Sequence, residues 1–213
     1  MDGTVAQLDI ICTLAEKYGA MVMSDECHAT GVIGETGRGT HEAKGVMGRV
    51  DILTGTFGKA LGGASGGFTC GPRAVIEILR QKSRPYLFSN SLAPGLVGAS
   101  IKSISILEKD ITLLKNLAKN TKYFRLKMSK SGFKIKKGYH PIVPIMLYDD
   151  HLAKLMSEKL LNEGVYVVGF SFPVVPKEKA RIRVQISANH TTKQLDAVIQ
   201  SFIKIGKELE IIS

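Results

Sequence analysis

Short, mostly apolar runs recur in the first half of the chain, and polar or glycine-rich residues follow each of them. The runs cover residues 20–23, 50–54 and 66–70. Helix-like stretches lie around them at residues 8–18, 73–82 and 94–108. Apolar runs of this length are typical of strands buried on both faces of a sheet. Strands that alternate with helices predict an α/β layer arrangement with a mostly parallel sheet.

The second half of the chain has a different order of elements. Its pattern predicts helices at about 113–130, 151–162 and 191–209, and strands at 142–147, 165–172 and 181–187. Thr191 has the residue type and position of an N-cap. This order predicts a separate α+β lobe, with a first domain over residues 1–108 and a second over 109–213.

Composition excludes several classes of protein. The chain has 213 residues, 29 Lys and Arg against 19 Asp and Glu, and 44% hydrophobic residues. No apolar run reaches the roughly 18 residues that a membrane-spanning helix needs. Three separated cysteines form neither a disulfide framework nor a CxxC metal pair, and they fit a reducing compartment. We therefore predict no membrane association and no metal.

The positive charge is concentrated in the second half, where residues 106–213 carry a net +9. Such an excess is compatible with a nucleic-acid-binding face or with solvated helix faces. No helix-turn-helix, zinc-finger or RNP-like pattern accompanies it, and the aromatic residues do not interleave with the charges. We therefore predict no nucleic-acid partner.

A first candidate cluster follows the first predicted strand, at residues 24–31. Asp25 would lie at the end of the strand, where ligands bind in open α/β sheets, and His28 follows three residues later. The two side chains could address two atoms of one flat ligand. Asp25 could equally cap a turn, with His28 as an ordinary surface residue.

A second cluster follows the second predicted strand and surrounds Lys59 with glycines, over residues 54–67. Glycines allow a close approach between backbone and ligand. A lysine held among apolar neighbours is a candidate nucleophilic amine for a Schiff base, because desolvation disfavours the ammonium form. A phosphate-binding P-loop is excluded, since Ala60 stands where Ser or Thr is needed. A purely structural glycine-rich turn remains an alternative.

Together the two clusters supply what a pyridoxal 5'-phosphate site needs. The cofactor acts through a protonated ring nitrogen, and a nearby carboxylate such as Asp25 stabilises that cation. Lys59 would hold the cofactor covalently, and the Thr56 hydroxyl could bind its phosphate.

Six segments of the sequence are similar to the α-oxoamine synthases. They are residues 25–31, 34–39, 55–67, 84–92, 173–176 and 180–187. The resemblance implies the fold of PLP-dependent transferases of fold type I. Residues 1–108 would be the C-terminal part of the large PLP-binding domain, and residues 109–213 the C-terminal small domain.

The same resemblance implies roles for individual residues. Lys59 would bind the cofactor and act as the base, Asp25 would pair with the ring nitrogen, and His28 would bind the phenolic oxygen. Arg183 would bind the substrate carboxylate. The other implied cofactor contacts are Glu26, Cys27, Thr56, Phe57, Gly58, Ser89 and Asn90. Ser89 and Asn90 would reach the cofactor of a neighbouring subunit, which implies a homodimer with a shared active site.

The implied reaction joins glycine to the acetyl group of acetyl-CoA, and other members of the family, with other acyl donors, are the alternative. Residues 84–92 and 173–187 favour the glycine and acetyl-CoA reaction. Family members are about twice as long, so we expect this chain to be a C-terminal half that neither folds fully nor turns over alone. The resemblance allows a cytoplasmic protein or, in a eukaryote, one of the mitochondrial matrix.

Four further residues are predicted to have ordinary structural roles. Cys27 is expected to be a buried small hydrophobe, and His41 a surface residue. His140 and His190 are expected in turns. The histidines share no metal-ligand spacing with the cysteines.

Overall fold

A computed structural model describes residues 1–63 and 65–213. The chain forms two compact units, Val5–Leu114 and a second that combines Met1–Thr4 with Lys115–Ser213. The functional division at residue 108 into a cofactor-binding part and a small domain stays a prediction.

The first unit contains a three-stranded sheet and helices around it. Its elements are α1 (Leu8–Tyr18), β1 (Met23–Asp25), α2 (Thr40–Ala43), β2 (Ile52–Thr56), β3 (Gly67–Cys70), α3 (Arg73–Lys82), α4 (Arg84–Leu87) and α5 (Pro94–Lys109). The strand order is β1-β2-β3, with β1 parallel and β3 antiparallel to β2. The predicted α/β arrangement is present, but these described strands make one parallel and one antiparallel pair.

Helix α1 forms where the apolar spacing predicted it. Leu8 and Cys12, one helical turn apart, are buried with Val22 and Val46 in a small core. The helix ends at Gly19, whose φ of 64° is left-handed and whose N–H bonds to the carbonyl of Ala15.

Strand β1 begins three residues later than its apolar run. Backbone hydrogen bonds define a strand, and the pairing with β2 starts only at Met23, opposite Ile52. The short helices α2 and α4 were not predicted, because four residues are too few to show an apolar period.

The second unit packs helices against an antiparallel sheet, as predicted. Its elements are α6 (Thr112–Lys130, which starts in the first unit), β4 (Ile142–Met146), α7 (Asp150–Asn162), β5 (Val168–Phe170), β6 (Arg181–Gln185) and α8 (Thr192–Glu208). The strand order is β4-β6-β5. The core includes Phe124, Val143, Met156, Ile182 and Phe202. The predicted N-cap is confirmed, since Thr191 forms a capping box with Gln194.

Two polar anchors lie inside the second unit. The buried guanidinium of Arg125 donates to the backbone carbonyls of Lys136, His140 and Ile142 at 2.8–3.2 Å. The Asp2 carboxylate binds both Lys136 and Arg181. His140, which was expected in a turn, lies in a bend and is buried, and its Nδ1 accepts the N–H of Ile142.

Candidate active site at the strand ends

Strands β1 and β2 bring the two predicted clusters to the same edge of the sheet. The strands run parallel, and Asp25, the last residue of β1, is the register partner of Thr54. The N–H of Glu26 donates to the carbonyl of Thr54 at 2.7 Å. Thr56 ends β2 at the same edge, and Lys59 follows three residues later.

The turn after β1 holds the Asp25 carboxylate in its ionised form. Asp25 Oδ1 accepts the N–H of Cys27 at 2.8 Å. Hydrogen bonds from the Cys27 thiol and N–H lower the pKa of Asp25, burial partly opposes them, and the charges of Lys59 and His28 lower it further. Asp25 and His28 thus lie at the end of β1 and in the turn that follows it, and Lys59 follows β2 at the same edge of the sheet.

Lys59 lies in a turn built from glycine-rich backbone. Its carbonyl accepts the N–H of Gly62 at 3.1 Å, and the N–H of Phe57 donates to the carbonyl of Gly66 at 3.0 Å. The Lys59 side chain is exposed, which differs from the apolar surroundings that we expected. Ala64, which belongs to the same predicted segment, lies outside the described residues.

The Thr56 hydroxyl is already engaged in the same turn. It donates to the carbonyl of Gly66 at 3.1 Å and accepts the N–H of Gly58 at 3.1 Å. A hydroxyl has one proton to donate, so a phosphate contact requires the Thr56 hydroxyl to turn away from Gly66. Gly58 and Lys59 are exposed at this point of the turn, and Phe57 is half-buried.

Two residues of the first cluster differ from expectation. Cys27 is half-buried instead of buried, and its N–H donates to the Asp25 carboxylate at the end of β1. Burial, and next the hydrogen bond to Asp25, raise the pKa of the Cys27 thiol, so it remains protonated. Glu26 is 2% exposed, and its carboxylate is bound by Ser24 and Thr40. Its side chain is thus engaged inside the fold and not presented to a ligand.

Ser89 and Asn90 follow α4 in an exposed stretch. The stretch also exposes Phe88, at 77%. Just beyond it, Leu92 packs on Gly66, where a Cβ would lie 2.5 Å from the leucine side chain. Leu92 therefore keeps the C-terminal end of this stretch next to the turn that contains Lys59.

Arg183 belongs to the second unit. It lies on β6 between its register partners Pro144 and Val168, and its guanidinium lies 4.7 Å from the centre of the Phe170 ring. It also lines a groove of about 690 Å³ between β6, the segment before β5 and the start of α8. The planar fork of donors suits a carboxylate.

The sequence reasoning missed His41 and Glu42 of α2. His41 is buried instead of exposed, because α2 packs inward, and its Nδ1 has no hydrogen-bond partner among the described residues. Glu42 binds the backbone N–H groups of Thr36 and Arg38. A four-residue helix gives no periodic signal that could have predicted either side chain. His190 does lie in a turn, where its Nδ1 accepts the N–H of Ser187.

Two kinds of feature are absent from the part of the chain that the structure describes. Among these residues, no helix combines the length and apolar character needed to span a membrane. Within the same residues, no three His, Cys, Asp or Glu side chains converge in a way that could hold a metal ion.

The geometry and the sequence agree on one family. Residues 1–202 match the family described as Aminotransferase class I and II, and the chain belongs to that family. It is 52% identical to human mitochondrial 2-amino-3-ketobutyrate coenzyme A ligase over 97% of this chain and 49% of that protein. It is 53% identical to the Escherichia coli K12 protein of that name over 100% of this chain and 54% of that protein.

Solved structures confirm the predicted fold and the resemblance to α-oxoamine synthases. A serine palmitoyltransferase from S. paucimobilis, with a bound PLP–myriocin adduct, matches with a TM-score of 0.94 and 33% identity. An 8-amino-7-oxononanoate synthase from Francisella tularensis matches with a TM-score of 0.82 and 26% identity. This chain therefore has part of the PLP-dependent transferase fold type I. It spans about half the length of the curated relatives it matches.

Proposed function

We propose that this chain is the lysine-bearing part of a pyridoxal 5'-phosphate-dependent C-acyltransferase of the glycine C-acetyltransferase type. The observation that supports it most directly is the parallel pairing of β1 and β2, which brings Asp25 and the turn that contains Lys59 to the same edge of the sheet. A carboxylate and an amine in this relation can address opposite ends of one pyridine ring.

The residues at the strand ends fit the cofactor chemically. Asp25 is ionised and can hold a proton on the ring nitrogen. The Lys59 amine is exposed and open to an aldehyde. His28 adjoins Asp25 in the same turn and can bind the phenolic oxygen, while Thr56 can offer its hydroxyl to the phosphate.

When bound, the cofactor supplies an electron-withdrawing ring that stabilises negative charge on the substrate carbon. Lys59 would detach from the cofactor when glycine binds, and its free amine would then take the proton from the glycine α-carbon. Arg183 would bind the glycine carboxylate. The acetyl group of acetyl-CoA would join that carbon, giving 2-amino-3-oxobutanoate and CoA. The reverse direction would cleave the product of threonine oxidation.

A second candidate is another α-oxoamine synthase with a different acyl donor. The 8-amino-7-oxononanoate, 5-aminolevulinate and serine palmitoyltransferase types share the aspartate and the lysine, so these two residues do not separate them. The likeness to serine palmitoyltransferase structures favours this alternative. The higher identity to the 2-amino-3-ketobutyrate enzymes favours the glycine and acetyl-CoA reaction.

We propose that turnover needs a homodimer and more polypeptide than these 213 residues. The exposed stretch around Ser89 and Asn90 suits a contact with a neighbouring subunit. Apolar side chains are exposed along α1, β1 and the segment between them, namely Ile10, Leu14, Met21 and Met23, and they suit a contact with further chain. We place the protein in the cytoplasm, or in the mitochondrial matrix if its source is a eukaryote.

Attachment of the cofactor can be tested without turnover. Pyridoxal phosphate is added to a cofactor-free hybrid protein in which the first part of the E. coli relative precedes this chain, the adduct is reduced with borohydride, and the modified peptide is identified by mass spectrometry. We expect modification at Lys59 and none in Lys59→Ala, while Lys82→Ala, which removes an exposed lysine of α3, behaves as wild type. Equal labelling of many lysines would contradict the assignment.

Substrate choice is tested in a hybrid protein, in which the first part of the E. coli relative is joined to this chain. We expect CoA release from acetyl-CoA with glycine to exceed that with alanine or serine. A preference for alanine or serine, or for a long-chain acyl-CoA, would favour the second candidate.

A further inference from the structure

The Glu26 carboxylate ties the end of β1 to the start of α2. Oε1 accepts the Ser24 hydroxyl at 2.5 Å, and Oε2 accepts the backbone N–H of Thr40 at 2.6 Å. Both donors are neutral, and the side chain is buried. Removing a carboxyl group from water costs free energy, so Glu26 is a poor choice if stability alone is required.

The backbone of Glu26 makes three more connections. Its N–H donates to Thr54 of β2, and its carbonyl accepts the N–H groups of Ala29 and Thr30, each at 2.9 Å. Glu26 therefore joins β2, the turn over residues 26–30 and α2, and it does so directly after Asp25.

The Glu26 carboxylate occupies the space that a side chain at position 39 would need, and residue 39 is a glycine. Gly39 has a φ of 107°, and a Cβ at this position would overlap Glu26 Oε2. Any side chain at position 39 would therefore displace the carboxylate from Thr40.

Glu42 binds the loop over residues 34–39 through three hydrogen bonds. Its carboxylate accepts the N–H and hydroxyl of Thr36 at 3.0 and 2.6 Å, and the N–H of Arg38 at 2.9 Å. These bonds stay within the loop and do not reach β1. Glu42 is thus a carboxylate with a comparable number of bonds and no connection to Asp25.

We infer that Glu26 is a positioning residue that fixes the direction of the Asp25 carboxylate. Asp25 is held on one side by its register with Thr54 and on the other by the bond between Glu26 and Thr40. Without that bond, the end of β1 and the turn that carries Cys27 are free to shift, and the hydrogen bonds from Cys27 to Asp25 loosen. The functional meaning of this role rests on the proposed function, in which Asp25 holds the ring nitrogen.

The test follows the titration of the Asp25 carboxyl by ¹³C NMR in the cofactor-free hybrid protein, so it is independent of any cofactor binding. We expect the titration midpoint of Asp25 to rise in Glu26→Ala and to stay unchanged in Glu26→Gln, whose amide oxygen still accepts from Thr40. Glu42→Ala is the matched control and should leave Asp25 unchanged.

An unchanged Asp25 midpoint in folded Glu26→Ala, or an equal shift in Glu42→Ala, overturns the inference. If Glu26→Ala does not fold, Ser24→Ala removes one of the two bonds to Glu26 and should give a smaller rise. Absence of that rise also overturns it. Failure of pyridoxal phosphate to label Lys59 would instead count against the proposed function and leave this result standing.

Discussion

Asp25 and Thr54 are register partners at the end of two parallel strands, and the backbone bond from Glu26 to Thr54 closes that end. The pairing sets how far Asp25 extends beyond the sheet relative to the segment that leads to Lys59. A slip of one residue would turn Asp25 to the other face of the sheet.

Loss of the Asp25 charge should reduce turnover without unfolding the chain. Asp25→Asn keeps the shape but cannot stabilise a protonated ring nitrogen, so we expect CoA release by the hybrid protein to fall by about 10²-fold or more. Asp9→Asn, at an exposed position of α1, is the control and should retain full activity. Wild-type activity in Asp25→Asn would remove Asp25 from the proposed mechanism.

Gly39→Ala should cost more stability than Gly45→Ala. Both glycines have positive φ, but a Cβ meets Glu26 at position 39 and nothing within 4 Å at position 45. Backbone strain alone costs about 1–3 kcal/mol at such positions, and only Gly39→Ala also displaces a buried carboxylate. Urea unfolding of the two variants measures the difference, and equal losses would show that the carboxylate adapts freely.

The ion pairs of Asp2 should make the second unit less stable in acid. Burial acts to raise the pKa of Asp2, but hydrogen bonds and charges from Lys136 and Arg181 outweigh it and lower the pKa. A lowered folded-state pKa contributes stability above the unfolded-state pKa, and this stability is lost as the pH falls through the folded-state value.

Asp2→Asn should therefore cost about 1–3 kcal/mol at pH near 7, with the difference from wild type vanishing in strong acid. Glu77→Gln breaks an exposed pair with Arg73 and should cost less than about 1 kcal/mol. Urea unfolding at several pH values measures both, and a pH-independent effect of Asp2→Asn would exclude the ion pairs as its cause.

Arg125 should be needed for the stability of the second unit. Arg125→Met leaves the carbonyls of Lys136, His140 and Ile142 without their donor. Each unsatisfied buried acceptor costs about 1–3 kcal/mol, so we expect a total loss of several kcal/mol unless water enters. Lys122→Met, at an exposed position of the same helix, should change the unfolding midpoint little.

Much of the fold was predictable because local pattern and local structure agree. The helix of α1, its glycine C-cap and the Thr191 N-cap are properties of neighbouring residues, and each formed as predicted. The strand limits were less accurate, since pairing with β2 and not hydrophobicity decides where β1 begins.

The sequence by itself determined which residues can carry the chemistry, because a carboxylate, an imidazole and an amine are recognisable by type and spacing. Tertiary structure alone decided which of them face the open edge. In the folded chain Lys59 is exposed, Cys27 is half-buried, and the Glu26 side chain points inward to Thr40. It also buried His41 and His140, which spacing did not distinguish from surface residues. The physical reason is that burial and hydrogen bonding depend on segments brought together across the sheet, whereas spacing along the chain reports only each residue's own neighbours.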